Sequence, residues 1–259
     1  NFACGIFFDE QIDGLIQYND IDSSGHNGIY FIGDGVEIRN NSINNSLLLV
    51  DDGGGIYTSS IYSGRIIDGN IVLNSFGNNE GSPNNNSYAA GIYLDEYAEN
   101  VTITNNTIAH CAYGFLLHKA NTNKIENNVS FDSDYTMWMN NDANNSTIFG
   151  NSLTGNIFFA RIATQYSLGF RSNVDDIMDF GTANDNYYVR PIDDDYVFRL
   201  YQPSLGNWIE NTLEQWQTFT SQDLNSQKSS IVIKDTMEID FYYNSTKFNK
   251  EVLLIKHMM

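Results

Sequence analysis

The sequence is short of basic residues. Of its 259 residues, 13 are Lys or Arg and 32 are Asp or Glu, so the net charge is −19. Because binding of DNA or RNA needs basic patches and no cluster of Lys or Arg occurs, we expect no nucleic-acid partner. Polyanionic glycans would also be repelled, unless Ca²⁺ or a local basic groove intervened. The charge therefore favours a neutral or weakly charged glycan.

Cysteines and long apolar runs are scarce as well. Cys4 and Cys111 are too few for a disulfide framework and do not make a metal site, so we expect two buried free thiols. No run reaches the roughly 18 apolar residues that span a membrane, and we expect no membrane insertion. The first five residues lack the charged-then-apolar pattern of a signal peptide and already fit the middle of a repeat. We therefore expect the chain to begin inside a larger protein, with further coils before it.

What the sequence does contain is a repeat of two short β-type runs over roughly its first 160 residues. The first runs start at an aligned glycine in all but the degenerate sixth copy, and they lie at 5–8, 28–31, 55–58, 91–94, 114–117 and 136–139. Each second run closes on an asparagine, and these are Asn19, Asn41, Asn70, Asn106, Asn128 and Asn151. Their separations indicate a base period of 22 to 23 residues that is lengthened in two coils.

This period, with β-branched runs and asparagine at a fixed corner, predicts an all-β fold, a right-handed parallel β-helix. Coils stacked about 4.8 Å apart bury a continuous apolar column that one coil cannot bury alone. The asparagine amide tolerates a left-handed backbone and can hydrogen-bond to its equivalent in the next coil. Parallel crossovers overwhelmingly take the right hand, which sets the predicted handedness. The inward column should contain Ile6, Ile29, Ile56, Ile92 and Phe115.

The repeat fades beyond residue 160. Acidic clusters at 175–176 and 193–195 lack the regular spacing of Ca²⁺ ligands, so we interpret them as loops and expect no cofactor, leaving only a structural Ca²⁺ open. Thr212 predicts the cap of a short helix. Apolar runs at 231–233, 237–243 and 251–255 predict the first strands of a small β-domain. The expected domains are a β-helix with its closing segment over 1–230 and a β-sandwich-like fragment over 231–259.

Two insertions, at 44–50 and 76–88, lengthen the coils at the same place in the repeat. They should emerge from one edge of the stack, where loops on a rigid scaffold commonly bind ligands. Asp51 and Asp52 follow the first insertion, and Tyr88 ends the second.

Residues at equivalent outward positions of successive coils are predicted to form one column of polar side chains, which we call the outward file. Four residues after the aligned glycine stand Asp9, Ser59, Asp95 and His118, and one position later stand Glu10, Ser60, Glu96 and Lys119. Asp95 would therefore lie between Ser59 and His118 on neighbouring coils. A histidine beside a carboxylate can orient or protonate it, although a lone outward histidine is more often ordinary surface.

A second acidic element, Asp51 and Asp52, precedes three glycines that permit a sharp turn or a close approach to a ligand. Asp-Asp-Gly can also be only a turn signal. If Asp52 reaches the strand of Asp95, the two carboxylates supply the acid and the base or nucleophile of glycoside hydrolysis. Crowding of Asp52, Asp95 and Glu96 should raise at least one carboxyl pKa.

The stretches 51–58 and 91–95 resemble paired motifs of secreted right-handed β-helix proteins, including β-helical glycoside hydrolases of the xylosidase and fucosidase type. Residues 114–128 continue the pattern, and 213–217 with 221–226 resemble the segment that closes such helices. The resemblance implies a secreted protein, extracellular or periplasmic, with Asp52 and Asp95 as its catalytic residues. We add Glu96 and His118 to the catalytic candidates. The candidate substrate contacts are Asp51, Tyr57, Ser59, Tyr88, Tyr93 and Lys119, with no metal ligand.

Two other functions remain open. A polysaccharide lyase needs a base and a positive partner for a uronate carboxylate. His118, Lys119, Arg65 and Arg161 are available for these roles, but we expect no ordered file of Arg or Lys on the Asp95 face. A non-catalytic glycan-binding adhesin or tailspike could instead use Tyr30, Tyr57 and Tyr93 as an outward stripe that stacks on sugars.

Overall fold

The computed structural model describes residues 3–80, 88–143, 147–193, 195–244 and 248–253. Most of these residues wind through successive coils of three short strands each. In chain order the strands are β1 (Ile6–Ile12), β2 (Leu15–Gln17), β3 (Asp20–Asp22), β4 (Ile29–Asp34), β5 (Glu37–Arg39), β6 (Ser42–Asn44), β7 (Gly53–Thr58), β8 (Arg65–Asp68), β9 (Ile71–Ser75), β10 (Ala89–Leu94), β11 (Val101–Thr104), β12 (Thr107–Cys111), β13 (Tyr113–His118), β14 (Lys124–Glu126), β15 (Val129–Phe131), β16 (Tyr135–Asn141), β17 (Asn151–Thr154), β18 (Ile157–Phe159), β19 (Tyr166–Ser172), β20 (Gly181–Asn184), β21 (Tyr187–Val189), β22 (Phe198–Tyr201), β23 (Ile209–Asn211) and β24 (Gln227–Lys228).

The strands form three sheets that run the length of the stack. Sheet A has the order β1-β4-β7-β10-β13-β16-β19-β22-β23, sheet B the order β2-β5-β8-β11-β14-β17-β20, and sheet C the order β3-β6-β9-β12-β15-β18-β21-β24. Every strand pairs in parallel with its equivalent in the next coil, except that β23 pairs antiparallel with β22. The architecture is therefore the predicted parallel β-helix. The strands of sheet C, which follow the asparagine corner, were not predicted as a third run because most are too short to show an alternation.

The predicted inward column is confirmed. The register pairs Ile6 with Ile29, Ile29 with Ile56, Ile56 with Ile92, and Ile92 with Phe115. Four of these side chains are fully buried, and Ile6 packs against the same core from the first coil. The column continues through Met137, Leu168 and Phe198. The prediction that the repeat fades past residue 160 is thus wrong, because longer coils hide the period while the stacking continues.

The asparagine ladder is confirmed for five of its six predicted members. Each asparagine side chain donates to the side-chain oxygen of the next, from Asn19 through Asn41, Asn70 and Asn106 to Asn128. Asn151 was wrongly assigned. The ladder continues instead through Asn156 and Asn186. Asn151 opens β17, where it accepts a hydrogen bond from Asn123 in a second, shorter ladder.

The helix α1 (Leu213–Thr220) closes the C-terminal end of the stack. Thr212 caps it as predicted, and the Thr212 hydroxyl and Gln215 side chain form a capping box. The Trp216 ring stacks on the rings of Phe170 and Phe198, with centroids 4.9 and 5.2 Å away. These contacts cover apolar surface that the final coil would otherwise expose.

The predicted strands of a C-terminal β-domain are wrong for the residues that the structure describes. Across 231–244 and 248–253 the backbone forms no strand, and a short 3₁₀ helix spans Thr236–Glu238. Ile239 and Phe241 instead pack against Leu73, Ala109 and Phe131 on the outer face of sheet C. The alternating apolar residues here cover an apolar patch rather than pair with a neighbouring strand. Residues 254 and 255 of the third run lie outside the described residues, and the boundary at residue 230 stays a prediction.

The described part of the chain contains no helix that is long and apolar enough to cross a membrane.

Candidate active site

The candidate residues lie on neighbouring strands of sheet A. Asp95 and Glu96 directly follow β10, and His118 is the last residue of β13. The register pairs Leu94 with Leu117. Because side chains alternate along a strand, Asp95 and His118 then take adjacent outward positions on the same face.

A tight bend at the start of β7 brings Asp52 to this face. A Cβ atom on Gly54 would lie only 2.7 Å from the carbonyl oxygen of Ile56 and 3.2 Å from Cβ of Tyr93. The backbone therefore turns sharply here and passes close over the outer face of sheet A, which only glycine allows. Asp52 comes just before this bend, and it lines one open pocket of about 410 Å³ together with Asp95 and His118.

The two insertions also meet at this edge, as predicted. The backbone N–H of Asn78 donates to the carbonyl oxygen of Val50 at 3.0 Å, and the Asn78 side chain donates to the carbonyl oxygen of Leu48 at 3.0 Å. Residues 81–87 of the second insertion lie outside the described residues. Tyr88, at the end of that insertion, lines the pocket.

Asp95 is held by hydrogen bonds at both carboxylate oxygens. The Tyr57 hydroxyl donates to Oδ2 at 2.7 Å, and Nδ1 of His118 lies 2.8 Å from Oδ1. Burial raises the pKa of Asp95, but the hydrogen bonds with His118 and Tyr57 outweigh burial and leave this pKa below its ordinary value. Asp95 is therefore ionised over a wide pH range.

Asp52 is shifted in the opposite direction. Its side chain keeps access to solvent at the rim, while the protein atoms around the carboxyl group displace water and raise its pKa. The negative charges of Asp95 and then Asp51 raise the pKa of Asp52 further. One pocket thus contains two carboxyl groups whose pKa values are shifted in opposite directions, that of Asp52 upward and that of Asp95 downward.

His118 lies between two carboxylates. Its Nε2 atom is 2.9 Å from Oδ1 of Asp142, on the opposite side of the ring from Asp95. Burial lowers the pKa of His118, but hydrogen bonds with Asp95 and Asp142 more than compensate, so this pKa is raised. Because both ring nitrogens face an acceptor, the imidazolium form with two N–H groups is favoured.

Glu96 and Lys119 form an ion pair at the edge of the pocket. The Nζ atom of Lys119 lies 2.9 Å from Oε1 of Glu96 and 3.4 Å from Oδ1 of Asp142. The carboxylate of Glu96 lines the pocket but is exposed and already paired. It is thus less suited than Asp52 or Asp95 to proton transfer.

Of the remaining predicted residues, Asp51 and Ser59 are not among the described residues that line the pocket. Asp51 acts on the site through its charge, which raises the pKa of Asp52. The hydroxyl of Ser59 lies 3.4 Å from that of Ser60. Tyr93 is buried in the pocket wall.

The predicted tyrosine stripe is aligned but is not free to stack on sugars. Tyr30, Tyr57 and Tyr93 pair in register on adjacent strands. The Tyr30 ring is stacked between Phe7 and Tyr57, at centroid distances of 4.7 and 5.5 Å, and Tyr93 packs edge-on against Tyr57 at 5.2 Å. The ring faces are therefore used in protein packing, which argues against this stripe as a glycan platform.

The predicted outward file is correct at Asp95 and His118 but not at its start. In β1 a register shift lies between Phe8 and Gln11, so Asp9 falls in an irregular segment. On the other side of His118 the register continues through Asn140, Arg171 and Tyr201. One arginine, Arg171, therefore stands in the file of Asp95, but its register neighbours Asn140 and Tyr201 are not basic, so the register shows no ordered file of Arg or Lys here.

Asn140 and Asp142 were missed, although both line the pocket. The signal was present in the sixth copy of the repeat. Because Met137 aligns with Phe115, Asn140 takes the position of His118, and Asp142 follows two residues later on the same side.

Among the described residues, no group of three or more His, Cys, Asp or Glu side chains is arranged to hold a metal ion. Cys111 is buried, whereas Cys4 is only partly buried, so the expectation of two buried thiols holds for Cys111 alone.

Three parallel sheets wound into a stack, with a carboxylate pocket on one face, define a parallel β-helix protein. Residues 1–174 match the family model described as a right handed beta helix region, and the chain belongs to this family, which confirms the predicted hand. No curated protein matches the chain. A solved structure, the crystal structure of pectate lyase Pel9A, is similar at 13% identity with a TM-score of 0.38. That match covers 76% of this chain and 56% of that chain, so the chain spans little more than half the length of that protein.

Proposed function

We propose that the protein is a carbohydrate-active enzyme, and specifically a glycoside hydrolase that acts with Asp52 and Asp95. One observation supports this most strongly: two carboxyl groups share a pocket, and their pKa values are shifted in opposite directions. Such a pair supplies one proton donor and one anion at the same pH, which is the requirement of glycoside hydrolysis.

In the proposed reaction Asp52 donates its proton to the oxygen of the leaving sugar. Asp95 then either activates a water molecule or attacks the anomeric carbon directly. His118 and Tyr57 hold both oxygens of Asp95, so they fix the direction of its lone pairs and stabilise its charge. Burial and the charge of Asp95 raise the pKa of Tyr57, so this hydroxyl stays protonated and remains a donor. Asp142 acts one step further away, as a positioning residue for His118.

Substitution of the two carboxylates on a panel of glycans tests this proposal. Asp95→Asn and Asp52→Asn should each lower turnover by roughly 10² to 10⁴-fold, since each removes one proton-transfer or nucleophilic role. Asp68→Asn is the matched control, because Asp68 also accepts hydrogen bonds at both carboxylate oxygens but lies on sheet B, away from the pocket. New reducing ends without ultraviolet-absorbing products are expected from the parent protein. Unchanged turnover in Asp95→Asn, on a substrate that the parent cleaves, would place the chemistry elsewhere.

A polysaccharide lyase is the second candidate function. His118 and Lys119 are already paired with carboxylates, but Arg171 stands in the outward file of Asp95 and supplies a positive charge for a uronate carboxylate. β-Elimination produces an unsaturated sugar that absorbs in the ultraviolet, and this product distinguishes a lyase from a hydrolase in the same assay. For either function we propose a secreted protein with a carbohydrate substrate.

A further inference from the structure

A second groove continues from the candidate active site along sheet A. It has a volume of about 810 Å³, and Tyr88 and Asn140 line both this groove and the Asp52–Asp95 pocket. Its other lining residues include Tyr113, Tyr135, Trp138, Trp208, Arg171 and Arg199. The two cavities therefore form one continuous path across the outer face. We call the second of them, beyond Asn140, the aromatic groove.

The floor of the aromatic groove is built by close packing around Gly169. A Cβ atom at this position would lie 2.1 Å from the Trp138 ring, so the indole lies directly over β19. The ring of Trp138 also approaches those of Tyr135 and Trp208, with centroids 4.5 and 5.8 Å away. Aromatic rings held in this way form an apolar surface suited to the face of a sugar.

Arg199 is fixed among these rings. Its Nη1 atom donates to the Tyr135 hydroxyl at 2.7 Å, and its guanidinium lies 4.8 Å from the Trp208 ring centroid and 5.3 Å from that of Tyr166. Its Nε atom is buried without a hydrogen-bond partner among the described residues. Arg199 thus places a positive charge in the groove without a carboxylate of the described chain paired to it.

Arg171 points into the same groove from the file of Asp95. It is half-buried, and no side chain in the described ranges forms an ion pair or hydrogen bond with it. This contrasts with Arg39, Arg161 and Arg190, each of which pairs with an aspartate. In a chain with 32 acidic and 13 basic residues, two arginines without carboxylate partners in one groove require a reason.

The one carboxyl group in the lining is that of Asp134, which is exposed. Although Asp134 keeps access to solvent, the protein atoms around its carboxyl group displace water and raise its pKa, and the charge of Asp132 raises this pKa further. The lining thus contains two guanidinium groups and one carboxyl group, while Glu210, which pairs in register with Arg199 on β23, lies outside the lining.

We propose that the aromatic groove binds a sugar unit that carries a carboxylate, a uronic acid, with Arg171 as the carboxylate partner and Trp208, which is 40% exposed, as an apolar contact. Guanidinium and carboxylate match in shape and can form two parallel hydrogen bonds. The inference rests on the proposed function, since the acidic unit would belong to the glycan that reaches Asp52 and Asp95. Three strand spacings separate the strand of Asp95 from that of Arg171, roughly 14 Å, so the acidic unit lies some sugars away from the bond that is cleaved. The substrate is then an acidic glycan rather than the neutral one that the net charge favours.

Binding to the full chain tests the acidic subsite separately from turnover. Oligosaccharides that contain glucuronate or galacturonate are titrated calorimetrically, next to the same oligosaccharides with the carboxyl groups reduced to alcohols. Arg171→Gln should weaken binding of the acidic ligands by about tenfold or more and leave binding of the reduced ligands unchanged. Arg39→Gln, which removes an arginine of sheet B, is the matched control and should change neither. Trp208→Ala should weaken both.

The possible outcomes separate the two proposals. Unchanged affinity of Arg171→Gln for the acidic ligands, or an equal loss for acidic and reduced ligands, would overturn the acidic subsite. If Asp95→Asn keeps full turnover while Arg171→Gln loses acidic ligands selectively, the hydrolase assignment fails and the subsite stands. If Asp95→Asn loses turnover while Arg171→Gln binds the acidic ligands normally, the hydrolase assignment stands and the acidic subsite fails.

Discussion

The imidazole of His118 hydrogen-bonds to the carboxylate of Asp95, with 2.8 Å between Nδ1 and Oδ1. Because Asp142 accepts a hydrogen bond from the other ring nitrogen, the imidazolium form of His118 is favoured, and its positive charge lies next to the negative charge of Asp95. The pKa of Asp95 is lowered and that of His118 is raised as a result. This relationship favours the ionised form of Asp95 beside Asp52, whose pKa is shifted in the opposite direction.

The first prediction concerns the pH dependence of turnover. Asp95 must be ionised, and that form is lost as the pH falls through a pKa below 3.8. Asp52 must be protonated, and that form is lost as the pH rises through a pKa above 3.8. We therefore expect a bell-shaped profile of kcat/KM with an acidic optimum.

The variant Asp142→Asn identifies the group behind the basic limb of this profile. If Asp52 is the acid, the limb should stay nearly in place, because Asp142 is not among the groups that shift Asp52. If the His118 imidazolium is the acid, loss of one carboxylate partner lowers the pKa of His118 and moves the limb to lower pH. A rate that still rises above about pH 8 would contradict both assignments.

The second prediction concerns the asparagine ladder. The buried Asn106 side chain donates to Asn128, Ile67 and Thr104 and accepts from Asn70. Asn106→Ala leaves several buried polar groups without partners, so we expect the free energy of unfolding to fall by about 3 kcal/mol or more. Asn44→Ala, at a half-buried strand position, is the control and should cost less than about 1 kcal/mol. Urea unfolding measures the free energy of unfolding of both variants. An equal loss in the two would show that the ladder position stabilises the fold no more than the half-buried strand position does.

The third prediction concerns the apolar column. Ile92 is fully buried between Ile56 and Phe115. Ile92→Ala removes this packing and leaves a cavity, so it should lower the free energy of unfolding by roughly 2–5 kcal/mol. Ile12 is 76% exposed, and Ile12→Ala should change stability by less than about 0.5 kcal/mol. A small effect of Ile92→Ala in chemical denaturation would mean that the stack relaxes around the truncated side chain.

The fourth prediction concerns stability in acid. Asp132 accepts hydrogen bonds from Arg161 at 3.0 Å and Gln165 at 2.8 Å, and it pairs with His110 at 3.1 Å. Burial raises the pKa of Asp132, but these contacts outweigh burial and lower it to about 2. A depressed carboxyl pKa stabilises the fold above the unfolded value of 3.8, and this stabilisation is lost as the pH falls towards about 2.

Asp132→Asn should therefore be less stable than the parent by about 1–2 kcal/mol at neutral pH. The difference should shrink as the pH is lowered through about 3, because the parent then loses the same interaction. Thermal unfolding of both proteins across this range is the measurement. A difference that stays constant with pH would exclude the ionised carboxylate as its source.

Much of the fold was predictable because its signals are local. The alternation in 91–94 points Ile92 inward, and Asn106 ends the next strand, so both the column and the ladder follow from short stretches of chain. The error at Asn151 arose where a longer coil places asparagines at both of its corners, and only stacking decides which of them continues the ladder. The apolar run at 237–243 failed for a related reason, since alternation alone does not reveal that Phe241 packs on Phe131.

The sequence by itself determined the repeat, the inward column, the asparagine corner and the adjacent outward positions of Asp95 and His118. All of these depend on spacing along one strand or between equivalent places in successive coils. Only the tertiary structure decided that Asp142 hydrogen-bonds to the second ring nitrogen of His118 and that the bend at Gly54 brings Asp52 to the pocket. It also decided that Arg171 shares the file of Asp95. The physical reason is that coils of unequal length hide which residues become neighbours, because the hydrogen-bonded register between strands, rather than the distance along the chain, sets that relationship.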